Sequence, residues 1–288
     1  MRKRLAYYLG VCLFVGLSLS ACENAIEPLA EDSDSYVFIN GFLDTAADSQ
    51  FVRLNGLRPS ILGAPRDLEG VRVTTFDLTS QTEVVWKDST IVLDSGEDAT
   101  IYVGLFGAEE NHIYDFVVER PGFESATART AIPVTPVIYA EEPTGNAILL
   151  TQSIFLNHLF TEPHTLQVKY DVFVPERGRL ESFFLPYAGD AKSYSNGKTF
   201  DVFLYRDQEV INFSLGRTDT DPPLGLRRIA VQVDVESEEW FNRTDPTNLH
   251  FAHGFFGSVG RFDLGWALSS DTVQKMEFVD EQHLPPGN

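Results

Sequence analysis

Apolar and polar side chains alternate along most of the chain from residue 36 onward. YVFINGFL (36–43) and QFVRLNGL (50–57) are short runs rich in β-branched and aromatic residues and bounded by turn formers, which predicts strands. VRVTTFDL (71–78) and TEVVWK (82–87) repeat the pattern, with TSQ between them as a hairpin connection. ATIYVGLF (99–106), HIYDFVVE (112–119) and ESATARTAIP (124–133) follow, and a PGF turn separates the last two. In HIYDFVVE, Ile113, Asp115, Val117 and Glu119 oppose Tyr114, Phe116 and Val118, the period of a half-buried strand. No stretch here keeps a helical period for the roughly ten residues that a helix requires. Such a series of short strands predicts an immunoglobulin-like or transthyretin-like sandwich over residues 36–135.

PVTPVIYAEEPTG (133–145) carries three prolines and a closing glycine, which predicts a domain boundary. Beyond it, over 145–282, NAILLTQSIFL, LQVKYDVFV, KTFDVFLY and EVINFSL again read as strands of a second β-rich domain. RRIAVQVDV (227–235) alternates through Ile229, Val231, Val233 and Val235. In SEEWFNR, Ser237 is placed to cap a short helix that starts at Glu238 and bears Trp240 and Phe241. HFAHGFFGSVGRFDLGWAL (250–268) interleaves glycines with large rings, a composition suited to bulges or close backbone approach. The tail QHLPPGN is expected to fray. The fold class expected is therefore all-β, with one short helix in the second domain.

The first 35 residues follow another rule. MRKR is basic, and LAYYLGVCLFVGLSL (5–19) is an uncharged run of 15 residues, short of the roughly 20 that span a bilayer. This is the layout of a secretory signal over residues 1–21. It ends Leu19-Ser20-Ala21-Cys22, which resembles the lipobox of bacterial lipoproteins. That resemblance implies transfer of diacylglycerol to the Cys22 sulfur, cleavage before Cys22 and acylation of the new amino terminus. Cys12 would leave with the signal, so Cys22 would have no partner for an intramolecular disulfide. ENAIEPLAEDSDS (23–35) is acidic and poor in apolar groups, the composition of a disordered tether.

The chain carries 42 acidic and 22 basic residues, a formal charge of −20, and loss of Arg2, Lys3 and Arg4 with the signal would leave it more acidic still. Such a balance argues against nucleic acid, whose phosphates require Lys and Arg, and against close approach to an anionic membrane. Its usual consequence is solubility.

Several segments taken together resemble a family of Bacteroidota outer-membrane lipoproteins of unknown function. The resemblance rests on the Cys22 motif, the acidic tether, the opening strand YVFINGFL and the run Tyr114-Asp115-Phe116-Val117-Val118, Pro121-Gly122-Phe123, Ala126-Thr127-Ala128, Pro133-Val134-Thr135-Pro136. VQVDVESEEWFN and HGFFGSVGRF are similar to the family's carboxyl-terminal elements, and residues 176–226 lie outside the match. The resemblance implies an outer-membrane lipoprotein, periplasmic or surface-exposed, with an accessory role beside TonB-dependent receptors or at the cell surface. It brings no catalytic residues.

Candidate chemistry is sparse. His250 and His253, with Asp263 further on, are the closest approach to a metal set, but on a strand an i, i+3 pair points to opposite faces. Asp219 and Asp221 in RTDTDPP alternate, with Arg217 where a further oxygen ligand would be wanted, and read as a solvated turn. GAEENH (107–112) reads as a hairpin tip, and Gly257-Ser258-Val259-Gly260 departs from the nucleophile elbow. No metal or cofactor is expected. Aromatic residues on an all-β scaffold serve mainly as core, and a binding surface among them is expected at Trp240, Phe255 and Trp266. The reading is of a non-enzymatic, lipid-anchored binding protein, with an extracytoplasmic hydrolase whose site lies in the second domain as the alternative.

Overall fold

The computed structural model describes residues 35–58, 64–92, 98–146, 148–218, 220–241 and 247–282. Residues 1–34, on which the expected signal segment and tether fall, Asp219 and the tail from residue 283 lie outside the described residues. The chain is an all-β protein of several sheets. Its first strands are β1 (Val37–Asp44), β2 (Gln50–Gly56), β3 (Arg72–Asp77), β4 (Thr82–Val85), β5 (Lys87–Val92), β6 (Asp98–Gly104), β7 (Ile113–Glu119), β8 (Ala126–Ala131) and β9 (Val137–Ala140). Then come β10 (Thr151–Asn157), β11 (Thr165–Val174), β12 (Arg179–Pro186), β13 (Lys192–Tyr194), β14 (Gly197–Phe203) and helix α1 (Leu204–Leu215). The chain continues with β15 (Gly225–Glu236), β16 (Leu249–His250), β17 (Ala252–Trp266), helix α2 (Ser270–Lys275) and β18 (Val279–Asp280).

One nine-stranded sheet, in the order β12-β11-β15-β17-β1-β2-β6-β5 with β18 beside β15, runs through both halves of the sequence. A five-stranded sheet, β16-β8-β7-β3-β4, and a four-stranded sheet, β13-β14-β10-β9, complete the layers. Two hydrophobic cores divide the chain close to the proline-rich segment. The first joins Ile39, Val52 and Leu54 of the large sheet to Phe116, Val118 and Ala128 of the five-stranded sheet, and borrows Phe256 from β17. The second gathers Val168, Tyr170, Val231 and Val233 of the large sheet, Ile154 and Phe200 of the four-stranded sheet, and both helices. Strand β15 carries the alternation expected of it, with Ile229, Val231, Val233 and Val235 turned inward.

The halves meet where β1 pairs in parallel with β17, in register from Val37 against Ala252 to Asp44 against Val259. A glycine permits this approach. Gly254 has φ of 109°, and a Cβ there would stand 2.0 Å from the Ile39 carbonyl oxygen. The glycines of 250–268 thus do what their interleaving with rings predicts: a Cβ on Gly257 would meet Phe255 at 2.8 Å and Trp240 at 3.1 Å. A buried polar seam closes the same junction. The Ser258 N–H donates to Ser237 Oγ at 3.0 Å, the Ser258 hydroxyl to the Ala131 carbonyl at 2.8 Å, and the Thr130 hydroxyl lies 3.2 Å from Ser258 Oγ.

Three local expectations are corrected. EVINFSL is the end of helix α1, not a strand. Leu204, Asp207, Gln208 and Ile211 are its buried residues, the i, i+3, i+4, i+7 spacing of one helical face, and Gly216 ends it in the left-handed conformation. Short apolar runs do not distinguish the two periods, and packing decided this one. Ser237 does not cap the turn after it: Glu238–Trp240 is a single 3-10 turn without a side-chain cap, because the Ser237 hydroxyl accepts from Ser258 instead. The proline-rich segment contains β9, which lies at an edge of its sheet, where proline flanks are tolerated.

Gly254→Ala is expected to lower unfolding stability by at least about 2 kcal/mol, since it adds a backbone collision to an unfavourable φ. Gly122→Ala, at φ of 83° with nothing within 4 Å, meets the strain alone and is expected to cost about 1 kcal/mol. Equal losses for the two variants in urea melts would show that the contact with Ile39 is not what position 254 requires.

Candidate functional site

The large sheet turns its inner side to the two cores and leaves its outer side to solvent. Over β17, β1, β2, β6 and β5 the register lines up the outward residues in rows. Phe42 stands beside Gly257 on one side and Phe51 on the other, and Phe51 is followed by Val103 and Lys87. In the next row Asn40 lies between Phe255 and Arg53, with Ile101 and Ser89 beyond. Phe38 lies between His253 and Asn55 in the third. Phe51 is 55% exposed and Phe42 37%, although both belong to strands whose other faces are buried.

Trp240 completes the face from above. The 3-10 turn after β15 carries it over Gly257, in edge contact with Phe255 at 4.7 Å and Phe42 at 5.4 Å between ring centroids. Its indole N–H donates to the Ser258 carbonyl at 2.9 Å, so the ring is fixed by the same seam that joins the halves. Four of the rings are therefore preorganised on strands, and Trp240 is held over them by a turn fixed to the seam.

Trp240 and Phe255, both expected at a binding surface, stand together here, and Trp266 does not join them. It lies eleven residues further along β17, about 35 Å of strand, and on the inner side. Its indole donates to Gln152 Oε1 at 3.0 Å at the edge of the second core. Phe38, Phe42, Phe51 and Arg53 were not singled out from the sequence. The signal was present, since in YVFINGFL and QFVRLNGL these large side chains hold the polar phase of the alternation.

The remaining candidates disperse. His250 sits on β16 in the five-stranded sheet and His253 on β17 in the large one, separated by Phe251 at a positive φ of 52°. Asp263 is held by Arg228 at 2.7 Å and lies 3.4 Å from Lys169. Asp221 accepts the Thr218 N–H at 2.7 Å, a closed turn. His112 in GAEENH contacts Asp77 at 2.6 Å. Burial alone would raise the Asp77 carboxyl, but hydrogen bonds from His112, Ser80 and the Thr79 N–H hold it down at about 2. Among the described residues no group of three or more His, Cys, Asp or Glu side chains is placed to hold a metal ion.

One titratable cluster is unusual. Asp207, 1% exposed on α1, accepts the phenol hydroxyls of Tyr170 at 2.9 Å and Tyr187 at 2.8 Å, with Arg206 at 3.4 Å. Burial raises the Asp207 carboxyl above its ordinary value, against the lowering effect of those donors. Tyr170, Tyr187 and Asp207 are all buried, so their hydrogen bonds fasten α1 to β11 and to the segment after β12, with Arg206 at the solvent edge.

No family model matches the chain, and no curated protein is similar to it. Among solved structures, a pullulanase from Anoxybacillus sp. LM18-11 is similar at 12% identity and a TM-score of 0.21. Its complex with maltotriose is similar at 10% and 0.21. Each comparison covers 69% of this chain and 24% of the pullulanase chain, so the chain spans about a quarter of that protein's length.

An acid whose folded-state pKa is raised stabilises the fold fully below its unfolded value, and this contribution is lost as pH climbs through the folded one. Asp207→Asn is therefore expected to gain stability relative to the parent chain as pH rises from about 4 towards neutrality. Parallel urea melts across that range, with an unchanged difference between the two proteins, would refute the assignment.

Proposed function

We propose that this chain is a lipid-anchored protein of the bacterial cell envelope. It is tethered to the outer membrane through Cys22, and it acts by binding, as an accessory to TonB-dependent uptake or at the cell surface. The observation that carries the binding part is the outward aromatic face of Trp240, Phe255, Phe42, Phe51 and Phe38. Surface aromatics gathered around an arginine are the composition of interface centres. Phe51 and Phe42 are exposed at 55% and 37% and the other three rings are half-buried; apolar side chains left to water on a rigid sheet cost solubility and mark a contact site. The anchor rests on the sequence alone, on the basic start, the short apolar run and Leu19-Ser20-Ala21-Cys22. Two acyl signals on one terminus make membrane attachment stable, which a single chain does not.

The hydrolase alternative needs His250 and Asp263 to converge in a cleft. They belong to separate sheets, and Asp263 is engaged by Arg228 and Lys169.

Mass spectrometry of the processed protein is expected to find a diacylglyceryl, N-acylated Cys22 as first residue. Pull-down of the acylated chain is expected to recover an outer-membrane receptor of the TonB-dependent class, with recovery reduced about tenfold or more by Trp240→Ala. An unmodified Cys22 would remove the anchor. Receptor recovery unchanged by Trp240→Ala and by Phe42→Ala would remove the face as its binding site.

A further inference from the structure

We infer that the aromatic face docks on the phospholipid surface to which Cys22 would tether the chain. The inference rests on the anchored reading above and names the first surface that the face meets.

Charge supplies the first argument. In a chain with 42 acidic residues, the three outward rows from Phe38 to Phe42 hold Arg53 and Lys87 and no carboxylate. The next outward residue of β1, Asp44, is paired with Arg261 at 3.1 Å. Further along the same sheet the solvent side carries Asp171 and Asp263 among Lys169 and Arg228. An acidic molecule is repelled by a bilayer with anionic lipids, and strand rows that carry cations alone, with Glu238 and Glu239 confined to the turn that bears Trp240, approach one at least cost.

Chemistry supplies the second. The rings surround a polar centre, with Asn40 and Arg53 between Phe255 and Ile101. Indole and phenyl groups around guanidinium suit the headgroup layer, where Trp settles at the boundary and Arg meets phosphate oxygens.

The position of the tether supplies the third. Ser35 enters β1 three residues before Phe38, so the chain leaves the folded body at the rim of this face. The 13 residues from Cys22 to Ser35 reach at most about 45 Å. A short tether makes docking intramolecular, so a weakly binding face is occupied without high intrinsic affinity.

The test uses the acylated full chain in vesicles of phosphatidylethanolamine with a minor fraction of phosphatidylglycerol, carrying brominated acyl chains. The protein has three tryptophans; Trp86 is buried in the first core and Trp266 is bonded to Gln152 on the inner side. Bromine quenching of the emission is therefore expected to come from Trp240, to vanish in Trp240→Phe, and to weaken in Phe51→Ser. The unacylated Cys22→Ser chain is expected to bind the same vesicles weakly, about tenfold more weakly again with Phe51→Ser. Its response to phosphatidylglycerol should fall with Arg53→Gln.

Acylated chain that floats with vesicles while Trp240 stays unquenched would overturn the inference and leave the anchor intact, with the face open to a protein partner. Chain recovered without lipid on Cys22 and absent from vesicles would overturn both. Quenching that survives Trp240→Phe would place the contact elsewhere and overturn the inference alone.

Discussion

The parallel pairing of β1 with β17 is the constraint on which the other features depend. It joins residues more than two hundred positions apart in register, and the intervening chain serves as the crossover that a parallel pair requires. Backbone contact at Gly254 makes the approach possible, and the Thr130–Ser237–Ser258 seam satisfies the polar groups that the junction buries. Two sandwiches thereby share one sheet. The first core receives Phe256 from the far end of the sequence, and the outer side gains Phe255 beside Asn40.

A shared sheet creates two outer surfaces with opposite chemistry. Over β11, β15 and β17, cations and carboxylates alternate: Lys169 reaches Asp171 and Asp263, and Arg228 reaches Asp263. Of these, the Arg228–Asp263 pair is exposed, and a pair of that kind adds little stability but keeps the surface hydrated. Over β17, β1 and β2 the same backbone presents rings that water does not favour. Such a face persists because the strands beneath it are held by their buried sides, and because Trp240 is fixed by hydrogen bonding rather than left to collapse onto its neighbours. Alternate residues of the same strands thus supply the packed core on one side and the rings on the other.

Period-two alternation made most strands visible in the sequence, since each strand's burial is a local matter of which side chain points where. The helix at 204–215 was lost for the reason that local rules fail. EVINFSL is too short to separate the two periods, and only the core that receives Leu204 and Ile211 chooses between them. Trp240 and Phe255 were legible as surface aromatics in a glycine-rich setting. Trp266 was misplaced for want of a parity argument: it and Phe255 fall on one strand an odd number of residues apart, and so on opposite faces.

Sequence alone determined the alternation, the all-β class, the acidic balance and the glycines that admit large rings. Each is a property of neighbours along the chain. Tertiary structure alone decided that the phenylalanines of β1 and β2 lie beside Phe255 of β17, that Trp240 closes over them, and that the three rows they form hold cations and no carboxylate. Strand order and register are set by contacts between distant segments, and alternation within a strand says which face a residue takes but not which strand will lie next to it.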